Sequence, residues 1–207
     1  MSERLRSFCL LALMGNLMRA LDNLFMRLFV GIPLAASVID ELSATTLRLR
    51  PVGGGLRWAA PETWHITLQF LGNSSPEQCQ CIVGSLKKLH LPPVPIRLEE
   101  LGFFDHAGVL FAGVKVSPEL LLLQQHVIAA TALCGFASEA RPYQPHITLA
   151  RSKSRGRQHG VDELKARIRR PSSFTSFVAH EFLLYESFLG AGSSRYEIRE
   201  RFALTAS

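Results

Sequence analysis

The chain has 207 residues, 47% of them hydrophobic, and 23 Lys and Arg against 17 Asp and Glu give a formal net charge of +6. That apolar fraction excludes a disordered chain, and the length allows one domain or two small lobes with a sizeable core. The modest basic excess favours an anionic partner without naming it, and Cys9, Cys79, Cys81 and Cys134 form no CxxC pair, so neither a disulfide framework nor a zinc site is expected, only thiols in a reducing compartment.

The first apolar run, from Phe8 to Met14, follows Arg4 and Arg6 and is soon broken by Arg19 and Asp22. It is far shorter than the roughly 20 residues that cross a bilayer, and its flanks make a poor signal peptide. Residues 1–25 are therefore read as an N-terminal extension outside the fold, with a short amphipathic helix as the competing structure. Residues 26–33 read as a strand ending at Pro33. Leu34, Val38, Ile39 and Leu42 recur at helical spacing and predict a helix over 34–45. Pro51 and Gly53-Gly54-Gly55 make a loop, and because no helix follows in P-loop register the glycines are a turn rather than a phosphate cradle.

Residues 62–71 alternate as a strand, closed by Gly72-Asn73. Ser75-Pro76-Glu77-Gln78 announces a helix, with Ser75 as cap, Pro76 at the first helical position and Gln78 completing a capping box. Pro92, Pro93 and Pro95 end it. Residues 94–101 and 109–116 read as strands of a hairpin, and 91–100 as a crossing between two lobes. Ser117-Pro118-Glu119 starts a helix that Gly135 stops. A further strand follows Pro145, then a helix over 161–170 and strands over 174–188 and 195–205. This order predicts an α+β fold with largely antiparallel sheets and helices outside.

Within it one tetrapeptide occurs twice: His65-Ile66-Thr67-Leu68 and, 81 residues later, His146-Ile147-Thr148-Leu149. Successive side chains of a strand point to opposite faces, so each His shares a face with its Thr while the aliphatics anchor the back. Two imidazoles can supply a base and an acid near neutral pH, and the threonine hydroxyls suit an anionic oxygen. Arg151 adds fixed positive charge, although strict alternation puts it on the face away from His146. Such a pocket suits a phosphodiester attacked in line. A metal site is the rival reading, but neither motif carries an acid and a hydrolytic zinc site wants three ligands. His90, His106, His126, His159 and His180 lack the Thr partner and are read as surface or structural. Arg151, Lys153, Arg155 and Arg157 alternate through an acid-free stretch that suits an RNA backbone or a solvated loop. Of the aromatics beside the motifs, both Phe70 and Tyr143 suit stacking on a base; Tyr143 is carried as a substrate contact, and core packing is the preferred reading for Phe70.

Two His-x-Thr-x strands with this flanking sequence resemble the two-histidine phosphoesterase superfamily, and more closely its RNA 2',3'-cyclic phosphodiesterase (2'-5' RNA ligase) family. The resemblance runs from Met26 to about Leu204. It includes Arg27-Leu28-Phe29-Val30-Gly31-Ile32-Pro33, Trp64 to Gly72, Gly102-Phe103-Phe104, Val109 to Val114, Pro145 to Arg151 and Leu184-Tyr185-Glu186-Ser187. It implies a single bilobal domain over 26–205, with two mainly antiparallel sheets around a central cleft. It implies metal-independent, cofactor-free hydrolysis of RNA 2',3'-cyclic phosphate ends to 2'-phosphates by a cytoplasmic monomer that does not engage membranes. Carried over, His65 is the proton donor, His146 the proton acceptor, and Thr67, Thr148 and Arg151 hold the phosphate. From the residues alone the two histidines are equivalent. Other readings remain: 2'-5' ligation or small cyclic-nucleotide hydrolysis in the same pocket, or an RNA-binding protein without catalysis.

Overall fold

A computed structural model describes residues 25–137, 140–152, 161–169, 173–190 and 194–205. The N-terminal extension, except Phe25, and the basic residues Lys153, Arg155 and Arg157 lie outside the described residues, as does His159. Among the described residues, ten strands and four helices follow in order: β1 (Met26–Pro33), α1 (Ala36–Leu49), β2 (Leu56–Trp58), β3 (His65–Ser74), α2 (Pro76–Leu86), β4 (Val94–Ile96), β5 (Leu98–Phe104), β6 (Val109–Val114), α3 (Pro118–Ala132), β7 (His146–Ser152), α4 (Val161–Ile168), β8 (Phe177–Ala179), β9 (Glu181–Leu189) and β10 (Ser194–Ala203). A 3-10 turn, Pro61–Thr63, precedes β3.

Two four-stranded antiparallel sheets, ordered β10-β9-β1-β3 and β2-β7-β6-β5, carry the two motifs on β3 and β7. The α+β class with mainly antiparallel sheets is the one the sequence predicts. The two sheets are tied by a small β4–β8 pair. Two predicted strands are split by that pair. The stretch starting at Val94 spends three residues on β8 before β5 enters one sheet, and the stretch starting at Phe177 spends three on β4 before β9 enters the other. Alternation continues through both breaks, so periodicity alone sees one strand each time.

The helices cover the sheets by their apolar stripes. Val38, Leu42, Thr45, Thr46 and Leu49 form the buried face of α1. The capping box at Ser75 is formed: Ser75 Oγ accepts from the Gln78 amide at 3.2 Å, and Gln78 Oε1 accepts from the Ser75 amide at 3.0 Å. Ser117 caps α3 by accepting from the Leu120 amide. Leu28, Val30, Ile32, Ile66, Ile147 and Leu149 lie in one continuous core.

One expectation is corrected. Cys81 on α2 and Cys134, just past α3, form a disulfide across 53 residues, and Cys79 is the free thiol among the described residues. Local spacing does not reveal this pair, because packing of the two capped helices, not a short motif, brings the Cα atoms to 5.8 Å. Among the described residues, no helix is long and apolar enough to cross a membrane.

Candidate active site

Both histidines are half-buried and line one cleft of about 840 Å³ together with Thr67, Thr148 and Arg151. The backbone orients the two rings in the same way. His65 Nδ1 lies 2.8 Å from the carbonyl oxygen of Thr63, and His146 Nδ1 lies 2.8 Å from that of Gln144. A carbonyl only accepts, so each Nδ1 carries the proton and each Nε2 is left for the cleft. In both cases the carbonyl is two residues upstream, where the chain enters the strand from the 3-10 turn or from the Pro142–Pro145 segment.

Alternation holds up to each threonine and then breaks. In the β1–β3 ladder Gly31 pairs with Thr67 but Val30 pairs with Gln69, which leaves Leu68 as an extra residue. In the β6–β7 ladder Phe111 pairs with Thr148 but Leu110 pairs with Ala150, which leaves Leu149 as the extra one. Such a bulge reverses the facing of everything beyond it. Arg151 is thereby delivered to the cleft side, where strict alternation would have denied it. On β3 the same device buries Gln69 and turns Phe70 out to line the cleft at 58% exposure. The expectation that Phe70 is core is thus reversed. Gln69 gains a partner for its new place: its Oε1 accepts from Thr131 Oγ1 of α3 at 2.7 Å.

Tyr143 is not brought to the cleft. It packs against the core, and its hydroxyl donates to the carbonyl oxygen of Thr67 at 3.1 Å, with burial pushing its pKa up. It braces the first motif strand from behind. Glu62, which the sequence could not orient, is the one acid lining the cleft among the described residues.

The surroundings of the two rings differ. His65 lies among Phe29 (4.6 Å between centroids), Tyr196 (5.2 Å) and Tyr185 (5.7 Å). Burial, and then the positive fields of His146 and Arg151, hold its pKa down at about 4 against an opposing hydrogen bond to Thr63. Room for the ring comes from Gly31: a Cβ there would stand 3.4 Å from His65 Cδ2 and 2.9 Å from the Ile66 carbonyl oxygen. His146 instead stands edge-on to a stacked pair, Phe104 (5.1 Å) and Phe111 (5.6 Å).

Sequence reasoning missed three cleft arginines, of which Arg195 is ion-paired with Glu197. Arg57 of β2 is directly opposite Arg151 on β7, and Arg27 lies on β1. Like charges paired across a ladder repel, and among the described residues neither Arg57, Arg151 nor Arg27 has an acidic partner. The signal for Arg27 was its odd place in an otherwise apolar strand. Arg57 carried none, because three-residue β2 is too short to show a period. The cleft therefore offers two ring nitrogens, two hydroxyls and a positive field to one anion. Among the described residues, no three His, Cys, Asp or Glu side chains gather as metal ligands.

The sequence profile of the 2'-5' RNA ligase superfamily matches residues 37–187. An RNA 2',3'-cyclic phosphodiesterase of Bacillus subtilis is 29% identical over 182 residues, which is 86% of this chain and 96% of that protein. One from Archaeoglobus fulgidus is 30% identical over 169 residues, 79% of this chain and 92% of that protein. Among solved structures, Escherichia coli LigT complexed with 3'-AMP is 28% identical and superposes with a TM-score of 0.74, covering 88% of this chain and 99% of LigT.

Proposed function

Since this chain belongs to the 2'-5' RNA ligase superfamily, we infer that it is an RNA 2',3'-cyclic phosphodiesterase that opens the cyclic phosphate at an RNA end to a 2'-phosphate. Its curated relatives carry that activity in their names, and nearly their whole length is matched. The observation that carries the reading is the paired imidazoles. Two Nε2 atoms, each freed by an Nδ1–carbonyl bond, share one cleft with two hydroxyls and Arg151.

The chemistry needs one proton accepted and one donated. In our reading His146 Nε2 takes a proton from water as its oxygen attacks phosphorus opposite O3'. The P–O3' bond breaks, and His65 Nε2–H protonates the leaving oxygen. The product is a 2'-phosphate and a free 3'-hydroxyl. Thr67, Thr148 and Arg151 hold the non-bridging oxygens as charge builds on them. A low pKa makes protonated His65 a strong acid, and the bound phosphate anion supplies the negative charge that lets the ring take up its proton. The parallel reaction, in which a 5'-hydroxyl replaces water as the nucleophile and O3' again leaves, would give a 2'-5' bond in the same pocket. We place the enzyme in the cytoplasm as a monomer.

Product analysis on a 2',3'-cyclic-phosphate RNA, in EDTA, tests the reading. A 2'-phosphate product is expected, with His65→Ala and His146→Ala each at least about 100-fold slower. Full activity in either variant, or activity lost in chelator and restored by zinc, overturns it.

A further inference from the structure

Phe70 is held in the cleft by an unusual stretch of ladder. Beyond the bulge at Leu68, the β1–β3 register slips again: Phe29 pairs with Phe70 but Leu28 pairs with Gly72, so Leu71 is a second extra residue. Gln69 and Phe70 sit between these two bulges as an isolated paired segment. Its facing is the inverse of what solvent would choose, with an amide at 5% exposure and a phenyl ring at 58%. Neighbouring Leu68 and Leu71 stay buried at 3% and 8%. A regular strand would bury the phenyl ring and expose the amide; the inverted amide gains one hydrogen bond, from Thr131 Oγ1, and leaves its Nε2 buried without a partner among the described residues.

The residue next along this wall is Arg27. It pairs with Asn73 across β3, one side-chain row beyond the Phe29–Phe70 pair, is exposed, and has no acidic partner among the described residues. An exposed aromatic face beside an unpaired guanidinium is the combination that holds single-stranded nucleic acid: a base stacks and a phosphate is neutralised. The cleft has the size for more than a phosphate and one sugar; 840 Å³ is near the upper end of the roughly 300–1,000 Å³ range of ligand pockets.

Taking the reading of the site given above, we propose that Phe70 and Arg27 form a second nucleotide subsite. It receives the nucleotide on the 5' side of the cyclic-phosphate end, with the base on the Phe70 ring and the intervening phosphate on Arg27. The preferred substrate is then an RNA chain of at least two nucleotides, not a cyclic mononucleotide.

The test compares kcat/KM for a nucleoside 2',3'-cyclic monophosphate with that for a dinucleotide ending in the same cyclic nucleotide, at two salt concentrations. Wild type should favour the dinucleotide. Phe70→Ala should cut the dinucleotide-to-mononucleotide ratio by roughly 5- to 100-fold, and Phe70→Trp should keep it. Arg27→Ala should lower the ratio and flatten the dinucleotide's log–log salt dependence by about 0.7. A wild-type ratio near one, or a ratio that neither Phe70→Ala nor Arg27→Ala changes, overturns the subsite. Equal losses on both substrates would put Phe70 against the terminal nucleoside and overturn it as well. A wild type inert on both substrates is a separate failure, that of the phosphodiesterase reading itself.

Discussion

Replacing His65 by Asn removes an imidazole that its surroundings hold neutral, while an amide nitrogen can still donate to the Thr63 carbonyl. The unfolded ring takes a proton below about pH 6.5, the folded one only below about 4. Between those values the unfolded chain carries the extra proton, so acid favours unfolding and stability rises with pH across the window, flattening above it. Each pH unit in the window contributes at most about 1.4 kcal/mol. The full depression therefore bounds the effect near 3 kcal/mol, and a half-buried ring should deliver about 1–3 kcal/mol. Carboxylates with lowered pKa values, such as Glu41 held down by Thr175 and Glu77 held down by Ser75, titrate in both proteins and cancel in the difference. Urea unfolding of wild type and His65→Asn from pH 4 to 7.5 reads that difference directly. Wild type should lose stability relative to the variant as pH falls from 6.5 to 4, and the two curves should run parallel above 6.5. Parallel curves throughout would refute the claim that the aromatic surround and the positive cleft hold this ring neutral, and with it the view that bound phosphate must charge the acid.

Gly31→Ala pushes a methyl group to 2.9 Å from the Ile66 carbonyl and 3.4 Å from the His65 ring, so kcat should fall about tenfold or more with the protein still folded. Steady-state kinetics beside a thermal melt checks this, and an unchanged kcat would mean the ring does not need that berth. Reducing the Cys81–Cys134 disulfide releases a loop of 53 residues. Chain entropy bounds the loss near 4 kcal/mol, to be read as a lower urea midpoint in reductant, and Cys81→Ala should already be low and insensitive to reductant.

How far the sequence reveals this architecture depends on where the backbone stays regular. Period-two alternation correctly groups His65 with Thr67 and His146 with Thr148, and the serine caps of α2 and α3 are readable because each is a purely local device. The same rule fails at Phe70, Gln69 and Arg151, since a bulge leaves no mark in the order of apolar and polar residues. It fails again where β4 and β8 divert three residues each into a separate ladder. The disulfide and the buried place of Tyr143 follow from how α2, α3 and the motif strands meet in space, which no local window contains.

The two bulges also give two identical tetrapeptides different surroundings, which is what the proposed acid and base roles need. Counting from each histidine, Phe70 and Arg151 occupy the same position, just past an extra leucine, and each is turned into the cleft by it. One wall thus gains an aromatic face and the other a fixed charge. The nearest layer repeats the contrast, with Gly31 and three rings enclosing His65 while His146 stands edge-on to Phe104 and Phe111. Arg151 then lowers the proton affinity of His65 across the cleft, on the opposite motif. On the proposed reading of this doubled site, the residues one step outside the repeat separate acid from base. Substitutions at Gly31 and Arg151, which touch His65 or its field, are therefore the ones that should change which histidine gives up its proton.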